Sequence, residues 1–316
     1  MSKAGLTAAL VIVIAPLSVV PARAAAAVDP EAAVVDELVV TAHIPGPAWW
    51  RVAKGDSVVW VLGLPAGLPK GLKWNTHALD QHLADARQVI FPPVNTAGVF
   101  DIPGLLSLRA KMKSRTPLED SLPPDLRARF VADAQALNRN PGRYDHWNGL
   151  VAGLLMFGDF LKTANLDFRE PLPSIERDAR GHGRKPRPAA IYKGMPVLKA
   201  GAKELTSAIE QDCLSEALDE IEGGAERQVH AAEGWTRGDV KLALTGSAGF
   251  NHCVNLLPVG AQASRRAMAD EAGAVAAALD QPGSAVAVLP LRQLLAEDGV
   301  LQQLKARGYE IRAPDR

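Results

Sequence analysis

The sequence predicts an α/β protein, with a central mixed β-sheet flanked by helices and a helical insert (about residues 101–188) between two halves, Trp49–Phe91 and Ala189–Ile311. Three observations carry this. Two runs rich in Trp and Val, Trp49–Ala53 and Ser57–Leu62, flank Lys54-Gly55-Asp56; β-branched and aromatic residues suit a pleated surface and Gly takes the turn, so they read as a β-hairpin. Strand-like runs at Gln88–Phe91, Ala189–Lys193 and Ala285–Leu289 then alternate with helical stretches, the pattern of a sheet covered by helices. Between the halves the chain is helical, with Leu-rich faces suited to packing.

In chain order, Lys3, the apolar run Ala4–Val20 broken by Pro16, and Ala22-Arg23-Ala24 fit a signal peptide over residues 1–24. An uncleaved anchor is the rival, though the run is short for a spanning helix. Residues 25–45 read as a tether, Ala-rich and then β-rich at Leu38–Thr41. No later apolar run approaches roughly 20 residues, so a periplasmic or secreted protein without a membrane span is expected after cleavage. After the hairpin comes a Gly/Pro-rich loop, Leu64–Leu72, then a helix from Asn75 or Thr76 with Leu79, Leu83 and Ala86 on one face. The strand Gln88–Phe91 stops at Pro92-Pro93. Loops leaving such strand ends are where mixed α/β proteins place their chemistry.

The insert reads as helices Ile102–Lys113 and Pro124–Leu137, a turn at Asn140-Pro141-Gly142, and a helix His146–Leu161 with Trp147, Leu150, Leu154 and Leu161 on one side. After a short helix, Leu172–Arg180, the basic connector Gly181–Pro188 reads as a solvated loop rather than an anion site. Lys203–Glu222 reads as one long helix whose acidic residues are solvated, and Glu226–Trp235 continues the helical layer. Ala263–Leu279 is helical, Ala285–Leu289 a buried strand, Asp298-Gly299-Val300-Leu301 a helix start, and Gly308-Tyr309-Glu310-Ile311 the last turn and strand.

Composition narrows the function. The chain of 316 residues is 47% hydrophobic, with 35 basic and 35 acidic residues and no basic stripe interleaved with aromatics, so nucleic acid is not an expected partner. Cys213 and Cys253 are either a disulfide or two buried thiols, for sequence gives no distance between them. His77 and His82 lie roughly 140° apart around a helix and form no i, i+4 ligand pair. His252-Cys253 has no acidic residue near in sequence, and Gly246-Ser247-Ala248-Gly249 lacks the glycine two before the serine that a nucleophile elbow uses. Rossmann and P-loop patterns are absent.

Gly46, Pro47, Trp50, Val52, Val59, Trp60, Leu62, Gly63, Leu68 and Pro69 follow the order G-P-x-x-W-x-V, turn, V-W-x-L-G, then L-P and a helix. Further on, Trp235-Thr236-Arg237-Gly238-Asp239 matches W-x-x-G-D. Arg265, Leu294, Asp298-Gly299-Val300-Leu301 and Gly308-Tyr309 match a second block. In these stretches the chain resembles the TraB/GumN family, which takes in the Tiki-like metalloproteases. The resemblance implies a divalent metal held by two Gly-x-x-His motifs and acidic partners, and action on peptides in the Tiki-like branch. This chain departs at those positions. Ala66 stands for the first histidine, Pro92 for the acidic residue, Gln293 for the second histidine, Pro290 for its glycine, Arg266 for an asparagine and Lys193 for a glutamate. A methyl and a pyrrolidine ring offer no lone pair, and one amide oxygen does not hold a transition metal.

The expected function is therefore that of a catalytically degenerate TraB/GumN-like protein binding a peptide or envelope protein in a vestigial cleft. The candidate binding residues are Gly63, Ala66, Arg265, Arg292 and Gln293, whose arginines suit a carboxylate. No catalytic residue, metal ligand or cofactor is assigned. A metal-dependent hydrolase with relocated ligands and a structural or assembly protein are the alternatives.

Overall fold

The computed structural model describes residues 29–35, 37 and 46–314. The expected signal peptide and the β-rich run Leu38–Thr41 lie outside the described residues.

Among the described residues ten strands form three sheets: β1 (Trp49–Lys54), β2 (Ser57–Leu64), β3 (Leu68–Pro69), β4 (Ala86–Phe91), β5 (Val94–Thr96), β6 (Leu166–Asp167), β7 (Arg187–Pro188), β8 (Ile191–Lys193), β9 (Gly283–Pro290) and β10 (Glu310–Arg312). The main sheet is mixed and runs β10-β1-β2-β9-β4-β7. The hairpin forms as expected, with Gly55 taking positive φ between β1 and β2. Strand β9 enters between β2 and β4 and is parallel to both, and the small β7 continues the parallel run. Ala285–Leu289 is wholly buried, as a central strand covered on both faces must be. Helix His77–Asp85 seals part of the sheet with Leu79 and Leu83, and helix Pro258–Leu279 packs Met268, Ala272 and Val275 into the same core.

A second core lies among the helices of the insert and Ser207–Glu222, around Phe130, Tyr144, Met156 and Leu214. The structure pairs Cys213 with Cys253 across it, with Cα atoms 4.8 Å apart. Helix Gly149–Thr163 turns a different face inward from the expected one. Gly149, Ala152, Gly153, Met156, Phe157 and Phe160 are buried, while Leu154 is 46% exposed. A Cβ on Gly149 would come 2.4 Å from the Glu210 carbonyl oxygen, so small residues, rather than leucines, set this contact.

The expected long helix Lys203–Glu222 is two, Gly194–Glu204 and Ser207–Glu222. The Thr206 hydroxyl accepts from the Ile209 amide and caps the second. Its acidic face is not uniformly solvated: Glu220 is buried against Arg227, Gln228 and the Ala248 amide. Of the expected strand Ala189–Lys193 only β8 forms, and it pairs with β5 apart from the main sheet, whose edge is taken by β7 just upstream. No helix of the described residues is long and apolar enough to cross a membrane.

Candidate functional site

Strands β2, β9 and β4 are parallel, so their carboxyl ends share one edge of the sheet. The register Gly63↔Leu289 and Leu64↔Pro290 brings the two half-sites of the sequence level with one another there. Beyond this edge opens a cleft of about 1050 Å³, lined among others by Pro92, Lys193, Val259, Arg265, Glu271 and Gln293. An edge of this kind is the general binding position in parallel sheets.

The cleft collects only some of the residues that the sequence nominated. Pro92, Arg265 and Gln293 line it, and Arg265 has no ion-pair or hydrogen-bond partner among the described residues. Gly63 is buried beneath the edge. A Cβ there would meet Leu291 Cδ1 at 2.5 Å, and its carbonyl accepts from Trp235 Nε1 at 2.8 Å. Gly63 thus serves close packing rather than binding. Arg292 turns away and donates to the carbonyls of Leu244 and Gly246 at 2.6 and 3.3 Å. Ala66 sits under the loop at Gly249, where a Cβ would lie 3.4 Å from the Ala66 methyl.

Three carboxylates that the sequence reading did not single out stand at this edge instead. Residues 29–35, part of the expected tether, lie against the domain: Val34 forms an antiparallel bridge with Ala296, and the Val35 amide donates to the Leu295 carbonyl at 2.9 Å. Gln293 Nε2 donates to Glu31 Oε1 at 3.0 Å, and Asn251 Nδ2 to Glu31 Oε2 at 3.2 Å. Asn255 Nδ2 donates to Asp29 Oδ1 at 2.8 Å, and His252 Nδ1 lies 3.1 Å from Asp29 Oδ2. Burial raises the Glu31 carboxyl above its usual range, the Gln293 hydrogen bond opposes this, and the Asp29 charge adds to it. Glu271 is fully buried, and neither of its carboxyl oxygens finds a donor among the described residues. Burial, and then the charge of Glu31, hold its proton to well above the ordinary carboxylate range. Glu271 was legible in one respect: it falls three residues after Met268 and four before Val275, on the stripe that faces the core.

The divalent metal implied by the resemblance does not fit this donor set. A methyl, a proline ring and an amide occupy the expected ligand positions. Among the described residues no three His, Cys, Asp or Glu converge as a metal site. His82 stacks on Trp60 with ring centroids 4.2 Å apart, and burial lowers its pKa to about 4, so it is a neutral aromatic plate under the sheet. Ser247 is buried and its hydroxyl accepts from the Gly249 amide at 2.8 Å, a loop contact. The cleft presents apolar walls, the Arg265 guanidinium, the Gln293 amide and the Glu271 carboxyl, which burial makes a weaker acid.

Comparison with known proteins agrees with the scaffold. No curated protein and no solved structure matches the chain. The family model of the TraB/PrgY/gumN family matches residues 48–313, from the first strand of the sheet to just past the last. The match spans both motif halves, which the pairing of β2 with β9 brings side by side; the chain belongs to the TraB/PrgY/gumN family.

Proposed function

We propose that this TraB-family protein acts in the periplasm or outside the cell as a non-hydrolytic binder of a peptide segment, held in the cleft at the carboxyl edge of the sheet. One observation carries the reading: a cleft of about 1050 Å³ opens at the carboxyl edge of the sheet, and Pro92 and Gln293 line it where the resemblance implies metal-binding groups. Its apolar walls suit side chains of an extended peptide, and Arg265 suits a carboxylate. The test is a screen of labelled peptides against the purified chain, with metal content and peptide integrity followed in parallel. Peptides are expected to bind, to stay intact, and to be indifferent to a chelator. The substitution Arg265→Glu is expected to weaken binding tenfold or more, about 1.4 kcal/mol.

A second reading, a metal-dependent hydrolase, draws on the pair Glu31 and Glu271, two buried carboxyls close enough for one charge to act on the other. Stoichiometric metal and chelator-sensitive cleavage, both lost in Glu271→Gln, would establish it and overturn the first.

A further inference from the structure

We propose that residues 29–35 occupy, in cis, a groove that recognises an extended acidic peptide, two carboxylates spaced two residues apart and followed by β-branched residues. The inference rests on the peptide-binding reading above and names the class of peptide.

The groove is built from two kinds of contact. Side-chain donors come first: Asn255 and His252 take Asp29, while Asn251 and Gln293 take one oxygen each of Glu31. Asn255 is fully buried and is itself positioned by the Ser264 hydroxyl, which donates to its side-chain oxygen at 2.7 Å. A buried amide held in place by a second side chain, with its NH₂ aimed at a carboxylate, is a preorganised donor site for that carboxylate. Backbone pairing comes second. The Val35 amide donates to Leu295 O at 2.9 Å and the Glu297 amide to Ala33 O at 3.1 Å, around the Val34–Ala296 bridge. Strand addition of this kind accepts any extended chain, and the side-chain pockets supply the selection.

Several features mark the segment as a displaceable occupant. Ala32 and Ala33 are exposed, so apart from Val34 and Val35 its attachment is mostly polar. Glu31 stands near Glu271, whose oxygens have no donor among the described residues, so the segment leaves hydrogen-bonding capacity in the cleft unused. Gln293 belongs to both features: it lines the cleft and holds Glu31, so the groove leads into the cleft.

The test uses the full chain and a labelled synthetic peptide with the sequence of residues 27–37, AVDPEAAVVDE. The double substitution Asp29→Ala with Glu31→Ala should release the segment, speeding hydrogen exchange at the Val35 and Glu297 amides by tenfold or more. The released variant should then bind the peptide at least tenfold more tightly than the parent chain does. A peptide with alanine at both acidic positions should not bind, and adding Gln293→Ala to the variant should weaken uptake of the acidic one. Amides that stay protected, or a released variant that ignores the peptide, would overturn the inference. If the Arg265-sensitive binding of other peptides survives that failure, only this inference falls; if it is absent too, the peptide-binding reading falls with it.

Discussion

Glu271 sits on helix Pro258–Leu279 between Met268 and Val275, buried at the wall of the cleft, where its carboxyl finds no donor among the described residues. Its pKa in the folded chain exceeds that in the unfolded chain, so folding takes up a proton. The stability it contributes is complete below the ordinary carboxyl value of 4.5 and is lost as pH rises toward the folded value. Glu216 adds to the same slope, because burial raises it to about 7 against the hydrogen bond from the Cys253 amide. Denaturant unfolding should therefore show a less stable chain at pH 8 than at pH 5. Glu271→Met, which replaces an unpartnered polar group by an apolar one, should stabilise by about 1–3 kcal/mol at pH 8 and reduce the slope. An unchanged slope in that variant would place the titration elsewhere. The sequence hid this residue because a glutamate after Ala269-Asp270 looks like solvated helix surface. Only the spacing to Met268 and Val275 says otherwise. Asp29 and Glu31 were hidden differently, since the groups that bind them lie more than 200 positions away, and their own Ala-rich surroundings read as a tether.

Among the elements, strands were more legible than helix faces. Two runs rich in Val and Trp around Lys54-Gly55-Asp56 mark the hairpin, and a run of five buried small and branched residues marks β9. Helix Gly149–Thr163 was read from its leucines, yet its inner contact is made by Gly149 and Gly153 against Glu210 and Cys213. Apolarity is not the signal where two backbones approach closely. Gly149→Ala should accordingly cost about 1–3 kcal/mol in thermal unfolding, through overpacking against the Glu210 carbonyl, whereas Gly158→Ala, with open space around it, should stabilise or leave stability unchanged. Equal effects of the two would mean that the helices separate without penalty. The break at Leu205-Thr206 was likewise legible only through the capping hydroxyl, because the flanking residues are good helix formers.

At the scale of the whole molecule, the family scaffold was readable and its wiring was not. Motifs placed two halves in one sheet, but neither composition nor period says that β9 enters between β2 and β4. Nor does either place Gly63 and Arg292 outside the cleft while Pro92, Arg265 and Gln293 line it. Since β9 supplies the wholly buried centre of the sheet, a chain ending before Gly283 should lose cooperative unfolding and near-UV circular dichroism, not merely a few degrees of Tm. A folded, cooperative truncation would show that β2 and β4 can pair directly.

The same insertion has a consequence for how the polypeptide is made. While the ribosome is still working through the helices, the hairpin and β4 already exist as sequence with a gap one strand wide between them. Two rows of backbone amides and carbonyls there must wait for residues 283–290, which emerge only after the helices that follow β4. A nascent chain in that condition is open to another strand, its own or a neighbour's, and the interval before closure is when it most needs shielding.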